Sequence, residues 1–433
     1  MPRSRSKLRC RCDHASNRRP AQANGKIARA EYVTKYNACQ SASGAIIREL
    51  VANLELDPSI AVTSPTTETS PTLNILNGLC YITFAYDAAR SIDLNKAEAR
   101  IHEATQRSTL RHKRPAPSYF EYQPAPLRLT QDTEAIKLGN YLTRPSVDLQ
   151  FYDFGAVAVT YTVDIAGPFS ELLTLSEELY DNEPLLADSR LRVGQLLHVI
   201  GDAAAQAWLS SVVEDYIVFH IASFAEAIDF NLFHAQHGQE IARILRAERR
   251  LLSEQEVSEA FGARISYGME DLTIVDWNAA LLIDRDGDDI RAVLEYANVE
   301  LLEMRYLDQK LDRALDQAYD TLSKRAFSLP RLLGYYGADL RSVAELQVDN
   351  AILFEGVNNT LKLLGDQYLA RVYRLINRRF HLDEWDTSIL RKLQTLESIY
   401  EKISDQASNR RMEILEWVIV LLIAFSIALE LIH

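Results

Sequence analysis

Phe151-Tyr152-Asp153-Phe154-Gly155-Ala156-Val157-Ala158-Val159-Thr160-Tyr161-Thr162-Val163 is the stretch on which the reading of this chain turns. Aromatic and β-branched residues fill it without helical spacing, which fits a pleated, packed strand. Asp153 to Gly155 interrupt it with turn residues, so a strand pair with a turn or bulge is predicted. A similar run, Cys80-Tyr81-Ile82-Thr83-Phe84-Ala85-Tyr86, predicts the first strand, and Leu272 to Ile283 predicts a later one.

Helical signals lie between these strands. Asp93 to Gln106 places Leu94, Ala97 and Ile101 on one face behind Asp93 as N-cap. Pro168 is expected to open a helix reaching about Asn182, because proline is best tolerated in a first turn. Leu185 to Leu197 reads as strand or irregular, and helical patterns are expected from Ala203 to Phe233 and from Gly238 to Leu251. Thr63 to Thr72 reads as a linker, and the Pro-rich piece Arg114 to Pro126 as a surface excursion.

The second half is helical. Asp284-Arg285-Asp286-Gly287-Asp288-Asp289 lacks the ligand spacing of a calcium loop, and reads as a turn whose acids stabilise the N-terminus of the next helix. That helix carries Leu294, Leu301, Met304, Leu311 and Leu315 on one stripe. A return helix carries Leu346, Leu353, Val357, Leu361 and Leu364, and the two predict a long antiparallel helical hairpin. A third stripe, Ile389, Leu393, Leu396 and Tyr400, runs on without Gly or Pro, predicting one stalk helix of roughly 70 Å with coiled-coil character.

The end of the sequence is strongly apolar. Trp417, Val418, Ile419, Val420, Leu421, Leu422, Ile423, Phe425 and Leu429 follow the basic pair Arg410 and Arg411. As a helix, Ile414 to Ile432 would span roughly 28 Å, close to a hydrocarbon core of about 30 Å. A single-pass transmembrane tail anchor in membrane lipid is expected. The basic residues before it place the N-terminal body on the cytoplasmic, or mitochondrial matrix, side.

Composition narrows the function. The net charge is −13, although residues 1–30 hold nine Lys and Arg against Asp13. An acidic body repels phosphate, so direct nucleic-acid binding by the folded part is disfavoured. Four scattered cysteines form no disulfide framework. Neither a phosphate loop, a nucleophile elbow nor a zinc-protease motif is present, so catalytic residues, cofactors and metal ligands are all expected to be none. The alternative is a membrane-bound, metal-dependent hydrolase using the His-rich pattern His234, His237 and Glu240, with His220 nearby.

Leu294-Glu295-Tyr296-Ala297-Asn298-Val299-Glu300-Leu301-Leu302-Glu303-Met304-Arg305-Tyr306-Leu307-Asp308 and Leu415-Glu416-Trp417-Val418-Ile419-Val420 resemble the family known as DUF155, the sporulation and required-for-meiotic-nuclear-division proteins. The resemblance runs from about Ile92 to Ile432. It implies a membrane-attached, non-enzymatic protein that assembles with itself, with a member linked to translation at a membrane, and it carries over no catalytic residue.

The expectation is therefore an α+β protein. A disordered basic arm and linker (1–77) precede a mixed α/β head (78–290), a helical hairpin and stalk (291–411) and a transmembrane anchor (412–433). It would act as a homo-oligomeric scaffold or tether for an unknown protein partner.

Overall fold

The structure, a computed structural model, describes residues 73–105, 110–112, 125–324 and 367–432. The expected arm and linker, the Thr63 to Thr72 segment and most of the Pro-rich excursion lie outside them.

Twelve strands are described: β1 (Asn74–Asp87), β2 (Ser91–Ile92), β3 (Leu110–His112), β4 (Leu127–Asp132), β5 (Lys137–Leu138), β6 (Tyr141–Phe151), β7 (Ala156–Pro168), β8 (Ala204–Ala205), β9 (Val213–Phe224), β10 (Arg264–Ile265), β11 (Leu272–Val275) and β12 (Ala279–Ile283). The helices are α1 (Leu94–Thr105), α2 (Leu172–Leu179), α3 (Glu183–Ile200), α4 (Phe230–Arg246), α5 (Glu254–Ala260), α6 (Asp288–Lys324), α7 (Gln367–Phe380) and α8 (Leu382–Ile432). The protein is thus mixed α and β, consistent with α+β.

One large sheet organises the molecule, in the order β10-β11-β12-β9-β1-β7-β6-β4-β3, with β5 beside β6. β12 runs parallel to β9, which α4 and α5 make possible by carrying the chain back across the sheet. The other pairings are antiparallel. The quoted stretch, expected as a strand pair, holds the end of β6 at Phe151, a tight turn at residues 152–155 and most of β7; the strand that pairs with β7 lies before it, at Tyr141–Phe151.

Both faces of the central strands are covered. Ile82, Phe84, Val159, Tyr161 and Phe219 face a core shared with α1 to α4. Tyr81, Ala85, Ala158, Tyr216 and Val218 face a second core built with α6, α7 and α8. This double burial explains a missed strand. Val213–Phe224, expected as helix, is nearly continuous apolar sequence, and a strand buried on both faces shows no period-two alternation.

Three other expectations are corrected. Glu183–Ile200 is a helix, because the Asn182 side chain caps it by accepting from Leu185 N–H, and Leu185, Val193, Leu196 and Ile200 fall on one buried face. Pro168 closes β7, and a short 3₁₀ turn at Phe169–Glu171 precedes α2. Leu272 to Ile283 is a hairpin of two strands, turned at residues 276–278. The expected helix at Asp93 stands, with Asp93 Oδ1 accepting from Lys96 N–H at 3.1 Å.

Gly155 is held at φ 111°, and a Cβ there would lie 1.7 Å from the carbonyl oxygen of Ala89. The hairpin turn presses backbone to backbone against the strand that follows β1. Gly155→Ala should therefore cost about 2 kcal/mol or more, from the left-handed φ together with the forced backbone shift. Urea denaturation of the two proteins checks this; equal midpoints would contradict it.

The helical half does not stand apart from the sheet. All the described residues fall in one compact unit, Ser70–His433. α6 packs on β1 and β9 as well as on α7 and α8. Leu294, Met304 and Leu311 are buried there, with Leu301 and Leu315 half-buried against them. Their expected partners Leu346, Leu353, Val357, Leu361 and Leu364 lie outside the described residues. What faces the α6 stripe among those described is the sheet, α7 and the first part of α8.

α8 is one helix of 51 residues. Among the described residues no helix is long and apolar enough to cross a membrane, so the expected transmembrane helix is not found there. Described side chains run unbroken in its apolar part only from Leu415 to Ala424, about 15 Å of helix, half a bilayer core. The side chains of Arg410, Arg411, Phe425 and Leu429 lie outside the described residues.

Candidate functional site

Three places carry functional groups: the α8 helix, the His-rich face of α4, and a polar cleft beside the start of α6. α8 begins as a packed element. Ile389, Leu393, Leu396 and Tyr400 are buried in the second core, as their spacing predicts. Lys392 Nζ reaches Asp308 and Asp312 of α6 at 2.7 and 2.6 Å. Lys392→Ala should loosen this join by about 1 kcal/mol, since the pair is only partly buried. Hydrogen exchange at residues 386–400 checks it, and unchanged protection would count against the join.

Further along, α8 loses its partners among the described residues. Met412, Leu415 and every residue from Trp417 to Ile423 are exposed, between 45 and 67% for the large ones. Successive helical residues are turned by about 100°, so seven in a row sample the whole circumference. The rod is apolar all round.

At the root of α8 sits a cluster that the apolar pattern did not reveal. Glu300 of α6 is buried, and its described hydrogen bond is from the Tyr373 hydroxyl of α7 at 2.6 Å. Burial pushes its carboxyl up to about 8, and the nearby Asp383 and Asp386 of α8 push the same way against the Tyr373 hydrogen bond. Asp276, in the β11–β12 turn, is likewise buried, and it binds Arg246 of α4 and Arg379 of α7. One signal was available in the sequence. Glu295, Asn298, Glu300 and Glu303 fall all around α6, which suits a helix packed on several sides only if they find partners.

The His-rich pattern does not converge. His220 is on β9, not on a helix, and its Nε2 lies 2.9 Å from the Asp284 carbonyl. His237 is buried between Phe169 and Phe233, with Nδ1 3.3 Å from Glu240. His234 is exposed against the Phe261 ring. Among the described residues no group of three or more His, Cys, Asp or Glu could hold a metal ion. Each imidazole contacts its local surroundings: the Asp284 carbonyl, Glu240 and the Phe261 ring.

The cleft has a volume of about 550 Å³. Its floor is the α6 side of β4, β6, β7 and β1, where Arg128, Thr130, Asp148, Gln150, Thr160 and Thr162 alternate with residues of the first core. Thr130 donates to Asp148 at 2.6 Å, and Thr83 and Thr160 share a hydrogen bond at 2.9 Å. The wall is the first two turns of α6. Arg291 there bonds Glu295 and lies 4.4 Å over the Tyr81 ring, while Arg128 approaches Glu295 at 3.8 Å. Gly287 admits His220 at the rim, since a Cβ would come within 2.9 Å of its ring nitrogen. No sequence motif announced this cleft, because its residues come from five strands, a turn and a helix.

Comparison with known proteins falls on the same region. Residues 77–289 match the family described as "Uncharacterized protein MJ0711, N-terminal domain". The chain is 25% identical over 267 residues to "Uncharacterized protein MJ0711" of Methanocaldococcus jannaschii, covering 60% of this chain and 74% of that protein. The family match takes in the sheet from residue 77 of β1 onward together with the cleft floor, and stops at the start of α6.

Proposed function

We propose that the protein is a membrane-anchored, non-enzymatic scaffold or tether that assembles with itself, its N-terminal body held on the cytoplasmic or matrix side. The observation that carries this is the α8 rod. A helix that is apolar on every side suits lipid or a tight helical assembly, and is costly in water. The described part, Leu415 to Ala424, covers about half a bilayer, and the sequence stays apolar to Leu429. Arg410 and Arg411 precede it, which favours the stated orientation.

The rigid root supports the same reading. Because α8 is continuous from Leu382, packing of its first turns on α6 and α7 would fix the head to the anchor without a hinge. The resemblance to DUF155 belongs with this proposal, as does the link to translation at a membrane. Partner and lipid contacts would then be made by a body of net negative charge, which argues for a protein partner over nucleic acid.

Deleting residues 412–433 tests it. The full chain should float with membranes in a density gradient and resist a carbonate wash, and the deleted chain should stay in the soluble fraction. Cross-linking of the membrane-bound chain should yield species larger than one copy. A full chain that sediments as a soluble particle without detergent would overturn the anchor.

A further inference from the structure

We propose that the cleft beside α6 is a binding site for a small ligand bearing an oxyanion, a carboxylate or a phosphate, received by Arg128 and Arg291. This stands apart from the anchoring of α8. Two guanidiniums, from β4 and α6, converge on the carboxylate of Glu295, with Asp148 lining the same cleft. The Nε atoms of both arginines are buried and make no hydrogen bond among the described residues. Buried donors in folded proteins are nearly always paired, and two orphan donors on arginines that line one cleft point to an acceptor from outside the chain.

The other arginines are committed elsewhere. Arg144 donates to both oxygens of Asp164, and Arg285 lies at the exposed rim near Glu270. Among the acids, Asp148 takes the Thr130 hydroxyl, while Asp288 stands 3.6 Å from Arg291 and is half exposed at the mouth. Asp286 and Asp289 also line the adjoining cleft beyond the 284–289 turn. Among the described residues, four arginines and five acids line the cleft, which favours one oxyanion group on a neutral or cationic body and disfavours polyanions.

Within the site, Arg291 is held over Tyr81 and cannot swing away without losing that stacking. Glu295 then occupies the place of a competing anion. A bound oxyanion would share the two guanidiniums with it, and removing the Glu295 charge should strengthen binding.

Titration calorimetry of the full chain at constant ionic strength, with inorganic phosphate in one arm and acetate in the other, tests this. Saturable binding is expected in at least one arm, and the arm that binds identifies the class of oxyanion. Arg128→Gln should weaken it about tenfold or more, as loss of a charge-assisted hydrogen bond does, and Glu295→Gln should tighten it. Absence of saturable binding in both arms would overturn the site, as would unchanged binding in Arg128→Gln. If Arg128→Gln does not fold, Glu295→Gln decides, and weaker or equal binding there counts against the proposal.

Discussion

Asp276→Ala should destabilise the protein by about 3–5 kcal/mol, the range for breaking one side of a buried ion pair. Asp276 is 1% exposed and sits where three elements meet. Arg246 donates to one of its oxygens from α4 at 3.0 Å, and Arg379 donates to the other from α7. Trp277 N–H adds a bond at 2.8 Å, and the Tyr216 hydroxyl holds the Asp276 carbonyl at 3.0 Å. Removal of the carboxylate leaves two arginines facing a core without their shared anion. Glu256 and Glu259 also pair with these arginines, but both are far more exposed and cannot replace a buried partner. Asp276→Asn should cost nearly as much, since it keeps the shape and loses the charge. A denaturation midpoint equal to that of the parent protein would remove the junction from the account.

Glu300→Gln should act in the opposite direction and only at higher pH. The carboxyl titrates near 4.5 in the unfolded chain and at about 8 in the folded protein. Between those values the folded protein keeps a proton that the unfolded chain has released. Stability therefore falls as pH rises from about 4.5 to about 8, and levels off above. At about 1.4 kcal/mol per pKa unit, the full loss approaches roughly 5 kcal/mol. Glutamine cannot ionise and still accepts the Tyr373 hydrogen bond. Denaturation of both proteins at about pH 5, 7 and 9, which brackets the upper end of that range, should give converging stabilities at the acid end and a stabilised variant at the basic end. Parallel curves would show that Glu300 is already charged in the fold.

Both predictions concern buried charge, which sequence pattern reads poorly. In the Phe151 to Val163 stretch the turn and β7 are legible because turn residues precede a run of strand formers, a local matter, whereas the partner strand Tyr141–Phe151 is not. The Asp93 cap and the continuity of α8 are legible for the same reason. β9 is not, because burial on both faces erases its alternation. α3 is not, because its capping Asn182 and its helical face are weak signals beside a run of leucines and valines.

The stripe on α6 illustrates the boundary most clearly. Leu294, Met304 and Leu311 are core residues as their spacing predicts. Their neighbours are the sheet and the helices α7 and α8, a choice made by residues far away along the chain, Tyr81, Ala85 and Tyr216 among them. The cleft is more extreme, since Arg128, Thr160 and His220 come to the helical pair Arg291 and Glu295 from separate strands. By itself the sequence determined what nearest neighbours decide: turns, caps, the helical run to residue 432 and its apolar end. Only the tertiary structure decided which faces meet and which buried charges find partners, because those energies arise between segments distant along the chain and leave no period within either.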